Sequence, residues 1–216
     1  MCDPIDDPDL YLRVAQENGL NIRYEIDTHL HADHISGGRR LAEISGAEYV
    51  LHESAEAQYA FQRARDGGVL DPGNVKIRIL HTPGHTPEHI SLLVTDQTRG
   101  PEPWFILTGH TLMVGDVGRT ELATMPEAGA RQLFGTIQQL KDLPEYLEIM
   151  PGAYAGSVCG RALSGKAVST IGFERRFNRA FQINALEEFV EFMLQNIPVP
   201  PPNAAAVRAL NQGRAA

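Results

Sequence analysis

Cysteine is scarce: the 216 residues hold two, Cys2 and Cys159. Two thiols can form one bridge at most, which excludes a disulfide framework and favours a reducing compartment. Basic residues are in deficit, 19 Lys and Arg against 27 Asp and Glu for a net charge of −8. That balance argues against nucleic acid or an anionic membrane as the partner. No apolar run approaches the ~20 residues of a membrane span. The opening MCDPIDDPDLY is acidic and lacks an apolar core, so it does not read as a signal peptide, and the expected location is the cytoplasm. Apolar residues, at 43%, suffice for one core without staples. Histidine is plentiful: there are eight, most of them crowded into two short motifs.

The chain reads as alternating helix and strand. Asp7-Pro8 opens a helix that runs to about Glu17 and stops at Gly19. Ile22 to Ile26 is a short strand, Gly38 to Ser45 a helix stopped by Gly46, and Tyr49 to Leu51 another strand. Ser54 to Arg65 reads as a helix ended by Gly67-Gly68, followed by strands at Val75 to Leu80, Ile90 to Thr95 and Trp104 to Thr108. Ala128 to Lys141 is a helix, and Asn184 with Glu187 is the capping pair of a further one. There Leu186, Phe189, Val190, Met193, Leu194 and Ile197 recur at helical spacing, the pattern of a core-facing stripe. The run Pro198-Val199-Pro200-Pro201-Pro202 cannot continue a helix and reads as an extended linker. This order implies a layered α/β architecture, with one domain over residues 1–199 and a proline- and alanine-rich tail over 200–216.

Three motifs carry chemistry. The first is Thr28-His29-Leu30-His31-Ala32-Asp33-His34, just after a strand. Residues two apart in an extended loop point the same way, so His29 and His31 can converge on one ion, with Asp33 and His34 facing a neighbouring one. Imidazole with carboxylate suits zinc, iron or manganese. The second is His81-Thr82-Pro83-Gly84-His85-Thr86-Pro87-Glu88-His89. Gly84 permits a tight turn and Pro83 stiffens the approach, which makes His85 the candidate ligand. His81 and His89 read as packed groups or groups that orient ligands. The third is Thr108-Gly109-His110-Thr111-Leu112-Met113-Val114-Gly115-Asp116-Val117-Gly118-Arg119, where His110 projects after a strand. His52 has no such cluster and reads as structural. Arg119 can bind a substrate carboxylate or pair with Asp116. Arg175 and Arg176 read as a solvated pair. Cys159, with no histidine near it in sequence, reads as a buried inert thiol.

These motifs resemble the metallo-β-lactamase superfamily, and within it the persulfide dioxygenase branch, especially forms fused to a rhodanese domain. The resemblance continues through PGAYAGSVCG at 151–160 and STIGFERRFN at 169–178. The tail PPPNAAAVRALNQG is similar to the linker that leads into the rhodanese domain. The resemblance implies an αββα sandwich of two β-sheets flanked by helices, with the metal at one sheet edge. It implies Fe(II) and O₂ acting on glutathione persulfide. Two positions depart from the family pattern: His110 stands at the aspartate of the third motif, and Ala153 at a histidine of the fourth. The segment at Cys2-Asp3-Pro4 matches a stretch that two strands precede in the family, so the first sheet is expected to be short of its opening hairpin.

Carried over, the dioxygenase iron ligands fall on His29, His85 and His110, with imidazole in place of a carboxylate. His29, His31 and His85 instead make a three-histidine set of the kind that holds a catalytic zinc. The second metal position keeps Asp33 and His34 but lacks its histidine at Ala153, so one ion per chain is expected. Three functions follow. One is a persulfide dioxygenase-like iron enzyme acting on a small thiol or persulfide such as glutathione persulfide. Another is a mononuclear zinc hydrolase of a thioester, with Asp33 as general base. The third is a non-catalytic metal-binding relative. Asp33 and His110 are the candidate catalytic residues and Arg119 the candidate substrate-binding one; a homodimer is left open.

Overall fold

Two β-sheets face each other and carry helices on their outer sides. The structure, a computed structural model, describes residues 1–195, 197 and 199–214. The smaller sheet holds β1 (Tyr24–Ile26), β2 (Glu48–His52) and β3 (Gln62–Ala64), all parallel. Met1 to Asp3 runs along the outer edge of β1: the Ile26 amide donates to the Met1 carbonyl at 3.1 Å, and the Asp3 amide donates to the Ile26 carbonyl at 2.9 Å. Among the described residues no hairpin precedes β1. Helices α1 (Pro8–Glu17) and α2 (Gly38–Ser45) belong to this half. Gly46 closes α2 at φ 74°, a left-handed cap that glycine adopts without a Cβ penalty.

The larger sheet is built from β4 (Val69–Leu70), β5 (Val75–His81), β6 (Ile90–Asp96), β7 (Phe105–Gly109), β10 (Glu148–Pro151) and β11 (Ser169–Thr170). Their order across the sheet is β11-β10-β7-β6-β5-β4. A small hairpin, β8 (Leu112–Met113) with β9 (Asp116–Val117), follows β7. Period-two alternation sends neighbours on one strand to opposite faces. Leu92 packs with Ile26, Val50, Ile79 and Ile90 between the sheets. Leu93 packs with Ile106 against Leu133, Ile137, Phe189 and Met193, which lie on α3 (Pro126–Lys141) and α6 (Leu186–Leu194). Each such side chain contributes roughly 1.5–3 kcal/mol when fully buried. The result is the αββα sandwich that the motifs led us to expect. Short helices α4 (Ile171–Phe177) and α5 (Arg179–Gln182) complete the outer layer. No helix among the described residues is long and apolar enough to cross a membrane.

Two local expectations give way. Residues 54–65 are not a helix: Gln62 to Ala64 pair with Val50 to His52 as the third strand of the small sheet. Helix-forming residues there are overruled by a sheet edge that needs a partner. Asn184 and Glu187 do not form a capping box. Lys141 Nζ donates to Asn184 Oδ1 at 3.1 Å, and Arg131 holds both Glu187 carboxylate oxygens at 2.9 Å. Beyond the proline run, Ala204–Asn211 is a helix, α7. Asn196 and Pro198, and Ala215 and Ala216 of the tail, lie outside the described residues.

Candidate metal centre

Four loops meet beyond the C-terminal end of β1. The first leaves β1 with Asp27 and Thr28 and delivers His29, 1% exposed. Its Nδ1 lies 2.9 Å from the Thr28 hydroxyl. That hydroxyl donates to Asp3 Oδ2 at 2.9 Å, so it accepts from His29 Nδ1–H, and the proton is fixed on Nδ1. Nε2 is then a lone pair, buried and without a partner. The second loop, between β5 and β6, delivers His85. Its Nδ1–H donates to the Arg119 carbonyl at 2.7 Å, which leaves its Nε2 as the donor atom. Gly84, at φ 139°, stands where a Cβ would meet Leu133 at 2.5 Å, so only glycine lets this loop lie on α3.

The third loop, after β7, delivers His110. The His110 amide donates to His89 Nε2 at 3.1 Å. A Cβ at Gly109, φ 48°, would strike that same Nε2 at 2.6 Å. His89 therefore carries its proton on Nδ1, facing the Thr82 and Thr111 hydroxyls at 2.9 and 3.0 Å. It orients the His110 loop and has no lone pair left for an ion. His110 keeps an unpartnered, buried Nδ1. Donor atoms of His29, His85 and His110 all lie within 4.8 Å of one another, with ring centroids 4.8 to 5.2 Å apart.

His31 does not join that set. Its ring sits 4.1 Å from that of His29, but its Nε2 is turned to Asp3 Oδ1 at 3.1 Å. Its donor atom groups with Asp33 and His34, so the set of His29, His31 and His85 gives way to one containing His110. The physical reason is Asp3, whose carboxylate also accepts the Thr28 amide at 2.6 Å. Burial by itself pushes His31 down, but Asp3 and Asp33 override it and raise the imidazole to about 10. Burial lowers His85 to about 3 and His110 to about 4. It likewise lowers His29 and His89 well below the ordinary imidazole range. These four are neutral, the protonation state that ligates a metal. Asp33 is drawn well below the carboxylate range: burial raises it, but hydrogen bonds from His31 and His34 win. Its Oδ2 lies 4.0 Å from His110 Nε2.

The Arg119 side chain is enclosed by its neighbours. The residue is 2% exposed; its guanidinium pairs with Glu121 and donates to the Val158 carbonyl at 3.0 Å. Asp116 is taken by Arg161 at 3.2 Å. The Arg119 backbone carbonyl is the acceptor that orients His85. His52 stacks on His81 at 4.0 Å, away from the triad. Arg175 binds Glu145 at 2.8 Å and the Leu143 carbonyl at 3.0 Å, whereas Arg176 is exposed.

The fourth loop brings Cys159. Its sulfur, an oxygen of Asp33 and a ring nitrogen of His110 all lie within 4.8 Å of one another. Sequence spacing hid this, because Cys159 is far from both along the chain. The tail was hidden in the same way. Asn211 Nδ2 donates to the His31 and His34 carbonyls at 2.9 and 2.8 Å, and Asn211 Oδ1 accepts the Ser36 amide at 3.0 Å. Arg208 reaches the Leu30 carbonyl and binds Glu88 at 3.0 Å. Glu88 in turn accepts the Leu30 amide at 3.0 Å.

A sequence model of the metallo-beta-lactamase superfamily matches residues 3–152. The chain belongs to that superfamily. It is 28% identical over 192 residues to the mitochondrial persulfide dioxygenase ETHE1 of Homo sapiens, covering 88% of this chain and 68% of that protein. The crystal structure of ETHE1 from Myxococcus xanthus matches with a TM-score of 0.81 and 30% identity, over 98% of this chain and 87% of that one. A metallo-beta-lactamase from Staphylococcus aureus matches with a TM-score of 0.91 and 37% identity over 98% of this chain. This superfamily member spans 64% of the length of that protein.

Proposed function

We propose that the chain is a metal-dependent enzyme of the persulfide dioxygenase type, holding one ion with His29, His85 and His110. The carrying observation is the pair of buried ring nitrogens without a partner at this spot, His29 Nε2 and His110 Nδ1. A buried polar atom without a partner costs roughly 1–3 kcal/mol, and coordination removes that cost. The fixed tautomers of His29 and His85 support the same reading, since metal-bound histidines almost always donate the other ring N–H to a neighbour. The donor set therefore fits a divalent first-row ion.

Bound ferrous iron would supply one-electron chemistry toward O₂ and a binding point for sulfur. The substrate class is a small thiol persulfide such as glutathione persulfide, supported by the likeness to the ETHE1 proteins. The chain's own groups do the rest. Asp33 stays anionic beside His110, which makes it a fixed negative charge that holds a cationic centre and a poor acceptor of protons. His31, raised to about 10, is protonated at neutral pH and balances that charge between Asp3 and Asp33. His110 presents a neutral imidazole where the family pattern has a carboxylate.

One observation favours a second reading. Three neutral histidines with an open position are the donor set of catalytic zinc, which suits hydrolysis of a thioester. The strongly depressed Asp33 is an ill-matched general base for it. Anaerobic purification, metal analysis and oxygen-electrode assays decide. The dioxygenase reading expects iron near one per chain and oxygen uptake that depends on glutathione persulfide. Fully iron-loaded protein without such uptake overturns it, and zinc near one with thioester cleavage puts the hydrolase in its place.

A further inference from the structure

We propose that Cys159 is a metal ligand of this centre, its thiolate joining Asp33 and His110 in a donor set that takes a thiophilic divalent cation such as zinc. The proposal rests on the reading of the centre as a metal site and adds a residue outside the ligand positions carried over from the family. Cys159 is 1% exposed, and its sulfur lies within 4.8 Å of both an Asp33 oxygen and a His110 nitrogen. His110, 2% exposed, brings a buried Nδ1 that nothing else satisfies.

The loop that carries the sulfur is pinned. The Gly152 amide donates to the Gly109 carbonyl at 2.8 Å, next to His110, and the Arg119 amide donates to the Cys159 carbonyl at 3.1 Å. Two residues on, the amides of Arg161 and Ala162 donate to Asp116 Oδ2 at 2.7 and 3.0 Å. The Arg119 backbone holds His85 through its carbonyl and Cys159 through its amide. The thiol is therefore presented to the centre by the same segment that orients a histidine.

Charge argues the same way. His29, His85 and His110 are neutral donors, so a dication among them keeps its full charge in a buried place, where uncompensated charge is costly. A dication held by Asp33, His110 and a Cys159 thiolate instead has its two charges balanced by two anionic ligands. Binding breaks the S–H bond heterolytically: the sulfur electron pair forms the metal–sulfur bond, the proton leaves to water, and nothing is oxidised. Thiolate favours zinc over harder ions. His110 is common to both donor sets, so a zinc ion drawn to the sulfur and an iron held by the three histidines compete for one place.

The test is titration of the metal-free full chain with cobalt(II) as a spectroscopic stand-in for zinc. A near-ultraviolet sulfur-to-cobalt charge-transfer band should grow to one equivalent and vanish in Cys159→Ala and Cys159→Ser. Zinc affinity should fall about tenfold or more in either variant, on the scale of losing a group that supports a metal. Circular dichroism unchanged in Cys159→Ser excludes unfolding as the cause; a Cys159→Ser that unfolds passes the decision to the parent spectrum. One bound cobalt without the band, or a band of equal strength in Cys159→Ala, overturns the proposal and leaves the three-histidine site standing. No bound metal at all overturns the metal reading of the centre as well.

Discussion

His110 is the residue on which the chemistry turns. It is 2% exposed, and it is neutral, lowered to about 4 by burial against the pull of Asp33. The family resemblance puts an aspartate at this position, so His110→Asp restores one negative charge to a neutral three-donor set. An anionic ligand holds a dication more firmly and lowers its potential. Iron affinity of His110→Asp should rise about tenfold or more, and persulfide-dependent oxygen uptake should rise by a similar factor, about 1.4 kcal/mol of barrier. Side-by-side iron titration and oxygen-electrode rates check both. Equal values for the parent would mean that three imidazoles suffice. The histidines of the three motifs were legible because they stand in short polar stretches just beyond strand ends. Asp3 and Cys159 were not: Asp3 meets His31 from 28 residues away, and no local period encodes such a meeting.

Among the elements, α7 shows how a segment with little sequence pattern can hold a site. The tail, similar to a linker in sequence, makes specific contacts to the loops of the centre. Asn211 satisfies three backbone groups of the loop from His31 to Ser36. The Gln58 amide donates to the Gln212 carbonyl at 2.8 Å, and the Tyr59 hydroxyl to the Asn211 carbonyl. These last two bonds also explain why residues 54–65 are not a helix: their partners come from the far end of the chain. Asn211→Ala orphans two carbonyls and an amide at a buried place and should cost about 1–3 kcal/mol. Arg208→Met should cost more, about 3–5 kcal/mol, because it strands the Glu88 carboxylate, 4% exposed at its side chain. The pair Arg208→Met with Glu88→Gln should recover part of that loss. Urea unfolding of the three variants measures each value, and a neutral Asn211→Ala would show that the loop holds its shape without the helix.

At the scale of the whole molecule, a layered α/β architecture was legible because apolar strand runs bounded by turn residues alternate with helices, and the two-sheet sandwich was what the family resemblance implied. The third strand of the small sheet was not, since Gln62-Arg63-Ala64 has no strand-like composition and pairs only because β2 offers an edge. That small sheet also stores an electrostatic load. Glu25 lies on β1 fully buried, and neither of its carboxylate oxygens has a hydrogen-bond partner. Burial raises it to about 7, partly offset by the N-terminal ammonium and reinforced by Asp27. A carboxyl whose folded pKa lies above its unfolded value of about 4.5 binds its proton more tightly when folded. The folded state is therefore favoured by this group below pH about 4.5, and that advantage is lost as pH rises through about 7. Over that window the parent should lose at most about 3 kcal/mol from Glu25 alone. Glu25→Gln keeps the shape of the neutral acid and cannot ionise. Its urea midpoint should fall less between pH 5 and 8 than that of the parent, by the equivalent of about 1–2 kcal/mol. Parallel pH profiles for the two proteins would mean that Glu25 is ionised in the folded state throughout and that the N-terminal ammonium holds it there.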